Sequence, residues 1–205
     1  MDYSYEFSAE EKGYERICGI DEAGRGPLAG PVYAAAVILP QGLVIDGLND
    51  SKKLTEKKRE QLFEIIVHEA VSFGIGFATE KEIDDINILQ ATYLAMKRAC
   101  EGLTVPAGYA LVDGNRMPGL DIPGETIVKG DGKSPSIAAA SILAKVTRDR
   151  LMYDCDIKYP EYGFAKHKGY GTKVHTDALL KYGPCEIHRN TFLKNILGER
   201  LVCRR

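Results

Sequence analysis

The dipeptide Asp21-Glu22 closes an apolar run and opens the glycine-rich turn Gly24-Arg25-Gly26. Adjacent carboxylates repel, so they cost stability unless cations compensate, and hard oxygen donors of this kind suit Mg²⁺ or Mn²⁺. For the dipeptide alone, a solvated pair in a turn is the simpler account. Repetition changes that balance. Leu111-Val112-Asp113-Gly114 and Val128-Lys129-Gly130-Asp131-Gly132 each present another acid where an apolar run gives way to glycine. A two-ion site needs several carboxylates converging from different elements, with the ions about 3.5–4 Å apart. Each Asp-Gly is also a common turn signal when taken singly.

Other chemistries fit less well. A phosphate loop ending in Gly132-Lys133-Ser134 would need glycine where Ile127 stands, and that glycine is one whose backbone wraps the phosphates. Between its two glycines, Arg25 lies on a backbone that a sugar hydroxyl could approach closely, although a tight hairpin turn would use the same residues. The segment Tyr162–Thr172 mixes aromatics and cations between glycines, a blend suited to stacking on sugars or bases while cations meet phosphates. Tyr162 and Phe164 serve equally well as core plugs. His167 fits a phosphate contact or a surface residue better than an acid or base, and His68, His175 and His188 have no clearer role. Lys53, Lys145, Arg148, Lys166 and Lys168 are candidate phosphate contacts, with salt bridges or solvated surface as the plainer alternative.

These residues must be positioned by regular elements. Arg16–Asp21 and Val32–Leu39 read as strands able to pair as a hairpin, and Val71–Ala78 as a third. A helix is expected from Glu56 to Ala70 with Thr55 as its cap, and Thr79-x-x-Glu82 is a capping-box pattern opening a short helix. A second helical stretch covers Asn87–Glu101. Tyr109–Asp113 and Thr126–Val128 are brief strands. Ser134-Pro135 opens a long helix running to Lys158, where Tyr159-Pro160 closes it. Glu161–Gly171 is expected to be a loop, with helices beginning at Thr172 and His188. The order β-β-α-β-α-β-β-α-α implies a mixed sheet flanked by helices, its first three strands an antiparallel meander. On a regular strand Glu22 would face away from Asp21, so the first strand is expected to end or twist there.

Composition bounds the class. Of 205 residues, 44% are hydrophobic and 27% charged, which is ordinary globular usage. Five dispersed cysteines, odd in number and without C-x-x-C, argue against a zinc site or a disulfide framework and for a reducing compartment. The N-terminal residues lack the pattern of a signal peptide, and no apolar run approaches the ~20 residues of a membrane span. The net charge of −2 conceals an asymmetry: residues 1–128 carry 12 Lys/Arg against 21 Asp/Glu, and residues 129–205 carry 15 against 8. A basic C-terminal third could attract a polyanion if the fold gathers it on one face.

GIDEAGRGPLAGPV, the Asn49–Leu54 segment NDSKKL, LVDG, VKGDGKSPSIAAASILAKVTRD and HKGYGT, in this order, resemble the bacterial ribonuclease HII family over about residues 14–190. GRG after DEA looks like this type rather than the related type III enzymes. The resemblance implies an α/β ribonuclease-H-like fold, with a mixed sheet of about five strands flanked by helices and extra C-terminal helices. One catalytic domain is expected over residues 1–205, with a core at about 14–160 and a helical substrate-binding part at about 161–205. The resemblance further implies that Asp21, Glu22, Asp113 and Asp131 hold Mg²⁺ or Mn²⁺, two ions during catalysis. Gly24, Arg25 and Gly26 by their backbone, together with Tyr170, would recognise the 2′-hydroxyl at an RNA–DNA junction, Tyr170 packing on the neighbouring deoxyribose. The implied activity is hydrolysis of the RNA strand of RNA–DNA hybrids and cutting 5′ to ribonucleotides embedded in duplex DNA, leaving 3′-hydroxyl and 5′-phosphate ends. A ribonuclease-H-fold nuclease for branched DNA and a non-catalytic nucleic-acid-binding module are the alternatives. A monomer in the cytoplasm, without membrane partners, is expected.

Overall fold

The computed structural model describes residues 1–198; Cys203 and the end of the expected C-terminal part lie outside the described residues. Strands β1 (Ile17–Ala23), β2 (Val32–Ile38) and β3 (Ser72–Ala78) form an antiparallel meander. On the other side of β1 lie β4 (Tyr109–Asp113) and β5 (Gly124–Ile127), both parallel to it, so the sheet order is β3-β2-β1-β4-β5. The helices are α1 (Ser4–Glu11), α2 (Glu56–Glu69), α3 (Glu80–Glu101), α4 (Pro135–Lys158), α5 (Phe164–His167), α6 (Lys173–Tyr182) and α7 (Asn190–Leu197). No helix among the described residues is long and apolar enough to cross a membrane.

The pleat divides β1 between two cores. Cys18 and Ile20 join Ala34, Ala36 and Val112 beneath Ala91, Ala95 and Ala99 of α3. The opposite face packs Ala35 and Val37 against Ala139, Ala140 and Leu143 of α4 and Leu62 and Ile66 of α2. Gly19 decides how close α4 can come, because a Cβ there would collide with the backbone of Ser136 and Ile137. The helix is thus laid almost directly on β1, its first turn beside Gly19 and its later turns, through Ser141 and Arg148, beside Asp21 and Gly24 at the strand's C-terminal end.

Several expectations are corrected. Strand β1 neither ends nor breaks at Glu22 but continues to Ala23, with Glu22 paired to Ala34 of β2. The segment expected to be a loop contains α5, set between left-handed residues Gly163 and Lys168. Helix α3 holds both expected helical stretches, separated at Asn87 (φ 67°), whose side chain accepts from the N–H groups of Leu89 and Gln90 and so caps the restart. Helix α1 was not foreseen. Its Glu6 carboxylate accepts from the Ser134 hydroxyl (2.7 Å) and the Ser136 N–H (3.2 Å), placing negative charge at the N-terminus of α4.

Candidate active site

Parallel pairing between β1 and β4 ends at Ile20↔Val112, and the next residue on each strand is Asp21 or Asp113. Two acids therefore stand side by side at the carboxyl ends of adjacent parallel strands, where open α/β sheets bind ligands. Asp131 arrives on the 3₁₀ turn Gly130–Gly132 that leads into α4, and the Gly130 N–H donates to Asp113 Oδ1 at 2.6 Å, tying that turn to β4. Asp21 is only 4% exposed. Burial pushes its carboxyl well above the usual carboxylate range, and the charges of Glu22 and Asp113 add to this, opposed by the Ser141 hydroxyl and the Glu22 N–H. Asp131 is raised by burial, Asp113 and Asp50, and Glu22 by burial against the lowering pull of Arg25.

Strand alternation separates the first two acids. Asp21 meets Ser141 of α4, whereas Glu22 lines a cavity with Leu89, Thr92 and Met96 of α3 and with Asp113. At the strand's end Glu22 also lines the cavity that Ser141 and Lys52 line, so it borders both sides of the sheet edge. Among the described residues no three His, Cys, Asp or Glu side chains are gathered tightly enough to grip one ion. The four carboxylates are hard oxygen donors, and the charges of Glu22 and Asp113 raise their neighbours' pKa values, which makes the group a fit partner for hard divalent cations.

Beside these acids the chain builds a second feature. Gly24 has φ +99°, and any Cβ there would run into the Arg148 side chain, so the turn after β1 requires glycine. The Leu28 N–H donates to the Gly169 carbonyl at 2.8 Å, which brings the Tyr170 loop against the turn. A Cβ on Gly26 would lie 3.4 Å from the Tyr170 ring. One cavity is lined by Glu22, Gly24, Arg25, Gly26, Lys52 and Tyr170, with Tyr170 itself 47% exposed.

The family model for ribonuclease HII matches residues 18–195. The chain belongs to the ribonuclease HII family. It is 59% identical over 193 residues to ribonuclease HII of Clostridioides difficile, covering 94% of this chain and 76% of that one. It is 56% identical to the enzyme of Caldicellulosiruptor saccharolyticus, covering 96% and 98%. Among solved structures, the ribonuclease H2 of Pyrococcus horikoshii OT3 superposes with a TM-score of 0.71 at 29% identity, covering 85% of this chain and 92% of that one. The chain is accordingly a ribonuclease H, an endonuclease that hydrolyses phosphodiesters.

Within this ribonuclease HII fold the expected basic residues fare unequally. Lys53 and Lys166 are exposed, Lys53 within 3.8 Å of Asp50. Lys145 lines the turn cavity while donating to Asp149 at 2.6 Å. Arg148 is corrected: it is 1% exposed, and three of its five guanidinium N–H groups donate to the carbonyls of Ala29, Pro31 and Lys168, so it braces the main chain behind the cavity. Lys168 is corrected as well, being buried with its ammonium over the Tyr153 ring and donating to the Ala165 carbonyl.

Two residues of the candidate site escaped the sequence reading. Lys52, next to the expected Lys53, is the lysine that faces the acids, at 3.8 Å from Asp131. Burial works against its ammonium, yet Asp21, Asp131, Asp50 and Asp113 together hold its pKa above the ordinary lysine value. Arg189 is fully buried and donates to the carbonyls of Gly24, Arg25 and Gly30. Burial and the charge of Arg148 pull its pKa down to about 9, so it remains a cation at neutral pH. The signal for Lys52 lay in NDSKKL, where adjacency alone could not choose between two lysines. For Arg189 no local signal exists.

Proposed function

We propose that the chain hydrolyses the RNA strand of RNA–DNA hybrids and cuts 5′ to ribonucleotides embedded in duplex DNA, with Mg²⁺ or Mn²⁺ held by Asp21, Glu22, Asp113 and Asp131. The observation that carries this reading is the single cavity shared by the Gly24–Gly26 backbone, Tyr170 and the acid-bearing end of β1. Divalent ions bound there supply Lewis acidity and neutralise charge at the scissile phosphate. The rest falls to the chain's own residues. Amides of the Gly24–Gly26 turn, held by Arg189, offer hydrogen bonds to a ribose 2′-hydroxyl. The Tyr170 ring, exposed and packed on Gly26, offers a face for the neighbouring deoxyribose. Lys52 is placed to meet a phosphate oxygen while steadying Asp131. Lys53, Lys145 and Lys166 add weaker phosphate attraction along the approach.

Cleavage of four duplexes in Mg²⁺ tests this reading: one with a single ribonucleotide, its all-DNA counterpart, a long hybrid and a four-way DNA junction. Cutting of the first and third only, with a 5′-phosphate at the ribonucleotide, is expected. Cutting of the all-DNA or branched substrate would overturn it. Tyr170→Ala should lower kcat/KM on the single-ribonucleotide duplex severely and Tyr170→Phe moderately. A lost hydrogen bond to a partly wet group costs about 1 kcal/mol, and lost stacking adds about 1–3 kcal/mol.

A further inference from the structure

Three histidines, His167, His175 and His188, meet under the loop that carries Tyr170, and all are buried. Their hydrogen bonds determine where each proton sits. The Cys185 N–H donates to His188 Nδ1 at 2.9 Å, so that nitrogen is an acceptor and the His188 proton is on Nε2. His188 Nε2 faces His175 Nε2 at 2.9 Å, so His175 Nε2 accepts and its own proton is on Nδ1. His175 Nδ1 lies 3.0 Å from the Tyr170 carbonyl oxygen and donates to it. His167 stacks on His175 with ring centroids 4.6 Å apart, accepts from the Gly169 N–H at Nδ1 and donates to the Tyr162 carbonyl from Nε2. His188 Nδ1 also lies 3.1 Å from Cys185 Sγ and 3.3 Å from the Cys185 carbonyl oxygen, but the Cys185 N–H is the shortest contact, and with Nδ1 as its acceptor neutral rings satisfy the whole pattern. Burial is the leading reason the His188 pKa is lowered to about 4, and it lowers that of His175 too, so both rings are neutral near pH 7.

We propose that His188 and His175 form a directed hydrogen-bond relay, from the Cys185 amide to the Tyr170 carbonyl, that positions Tyr170 for junction recognition. They are positioning residues, since neither touches the cavity where substrate would sit. The inference rests on the reading of Tyr170 given above. Its physical content is that the Tyr170–Gly171 peptide, which follows Gly169 at φ +85° and whose carbonyl also accepts from the Thr172 N–H at 2.8 Å, is held by a side-chain donor whose tautomer is dictated by the Cys185 amide beyond His188.

The test contrasts two substitutions at one position. His175→Phe keeps the ring volume and the stacking on His167 but removes the donor. His175→Asn loses the ring but keeps an amide N–H near the position of Nδ1. The relay predicts that His175→Phe lowers kcat/KM on a single-ribonucleotide duplex about fivefold to tenfold, while His175→Asn stays within about twofold of wild type despite a lower melting temperature. A packing role predicts the reverse order, and equal or reversed losses would overturn the relay. If His175→Phe is harmless while Tyr170→Ala is not, the relay falls and the reading of Tyr170 stands. If Tyr170→Ala is harmless, both fall. Should either variant fail to fold, nitrogen-15 imidazole shifts of the wild-type protein decide: an Nε2–H tautomer at His188 with Nδ1–H at His175 is required, and any other assignment overturns the relay.

Discussion

The acid-bearing strand ends and the turn-and-loop beside them adjoin at Glu22, which lines the turn cavity, and are held by opposite means. At the acids, neighbours destabilise one another: Asp21 is buried, and the charges of Glu22 and Asp113 only add to the penalty of burial. At the turn, neighbours over-determine the backbone. Two buried guanidinium groups donate to six carbonyls, five of them within residues 24–31, and the Leu28 and Gly30 N–H groups are bonded as well. Groups meant to receive cations can be left in electrostatic tension that the cation relieves, whereas groups meant to measure a sugar have to be rigid before it arrives.

The sharpest way to break this contrast is to neutralise an acid. Asp21→Asn and Asp113→Asn should each lower cleavage by a hundredfold or more, on the order of what losing one transition-state contact costs. Asp131→Asn, on the turn, should retain more activity. Without divalent ions, Asp21→Asn should also be more stable than wild type by about 1–2 kcal/mol, since a buried repulsive charge is gone. Added Mn²⁺ should raise the melting temperature of wild type and not of this variant. A variant less stable than wild type in metal-free buffer would mean that the acids are not in tension.

Next in size is Arg189→Lys. One ammonium cannot serve the carbonyls of Gly24, Arg25 and Gly30 together, so a loss of about 3 kcal/mol is expected. For a chain of this length that amounts to roughly 6–12 °C of melting temperature. Cleavage at single ribonucleotides should fall more than cleavage of long hybrids, while the Mn²⁺-induced rise in melting temperature persists. Equal losses on both substrates would show that the clamp holds the fold and not the recognition turn.

The effect that bears least on cleavage is one of sign in the pH dependence of stability. His188 has a folded pKa of about 4 against an ordinary 6.5, so only the unfolded chain takes up its proton between those values. Stability from this group is intact above pH 6.5 and is lost as pH falls toward 4, by roughly 3 kcal/mol in total. Asp21, with a raised pKa, runs the other way: its penalty is absent at low pH and grows as pH rises through the folded value. Urea unfolding of wild type and His188→Gln from pH 7 to pH 4 should show a shallower acid slope in the variant. Parallel slopes would remove His188 from the account.

Much of the acid site was legible because its signal is local. Asp21, Asp113 and Asp131 each follow an apolar run and adjoin a glycine or another acid, a pattern that one stretch of chain can display. The face Glu22 adopts was not legible, because strand β1 continues through pairing with β2, a partner no local residue announces. Arg148 and Lys168 were misread for a related reason: their charge suggested phosphate, and only the folded chain reveals that main-chain carbonyls occupy them. His175 and His188 gave no signal, since their roles depend on which nitrogen carries a proton, and that is decided across 13 residues of separation.

The bond between Ser134 and Glu6 joins residues 128 apart in the chain. At synthesis rates of ~5–20 residues per second, Glu6 waits roughly 6–25 s for its partner to be made. Through that interval α1 has no helix end to cap, and for most of it β1 also lacks β4, which is complete only at Asp113. The antiparallel meander β1–β2–β3 can form early, but the edge that holds Asp21 beside Asp113 is assembled late. Vectorial growth therefore completes the meander first and brings Asp113 and Asp131 to Asp21 only in the second half of synthesis.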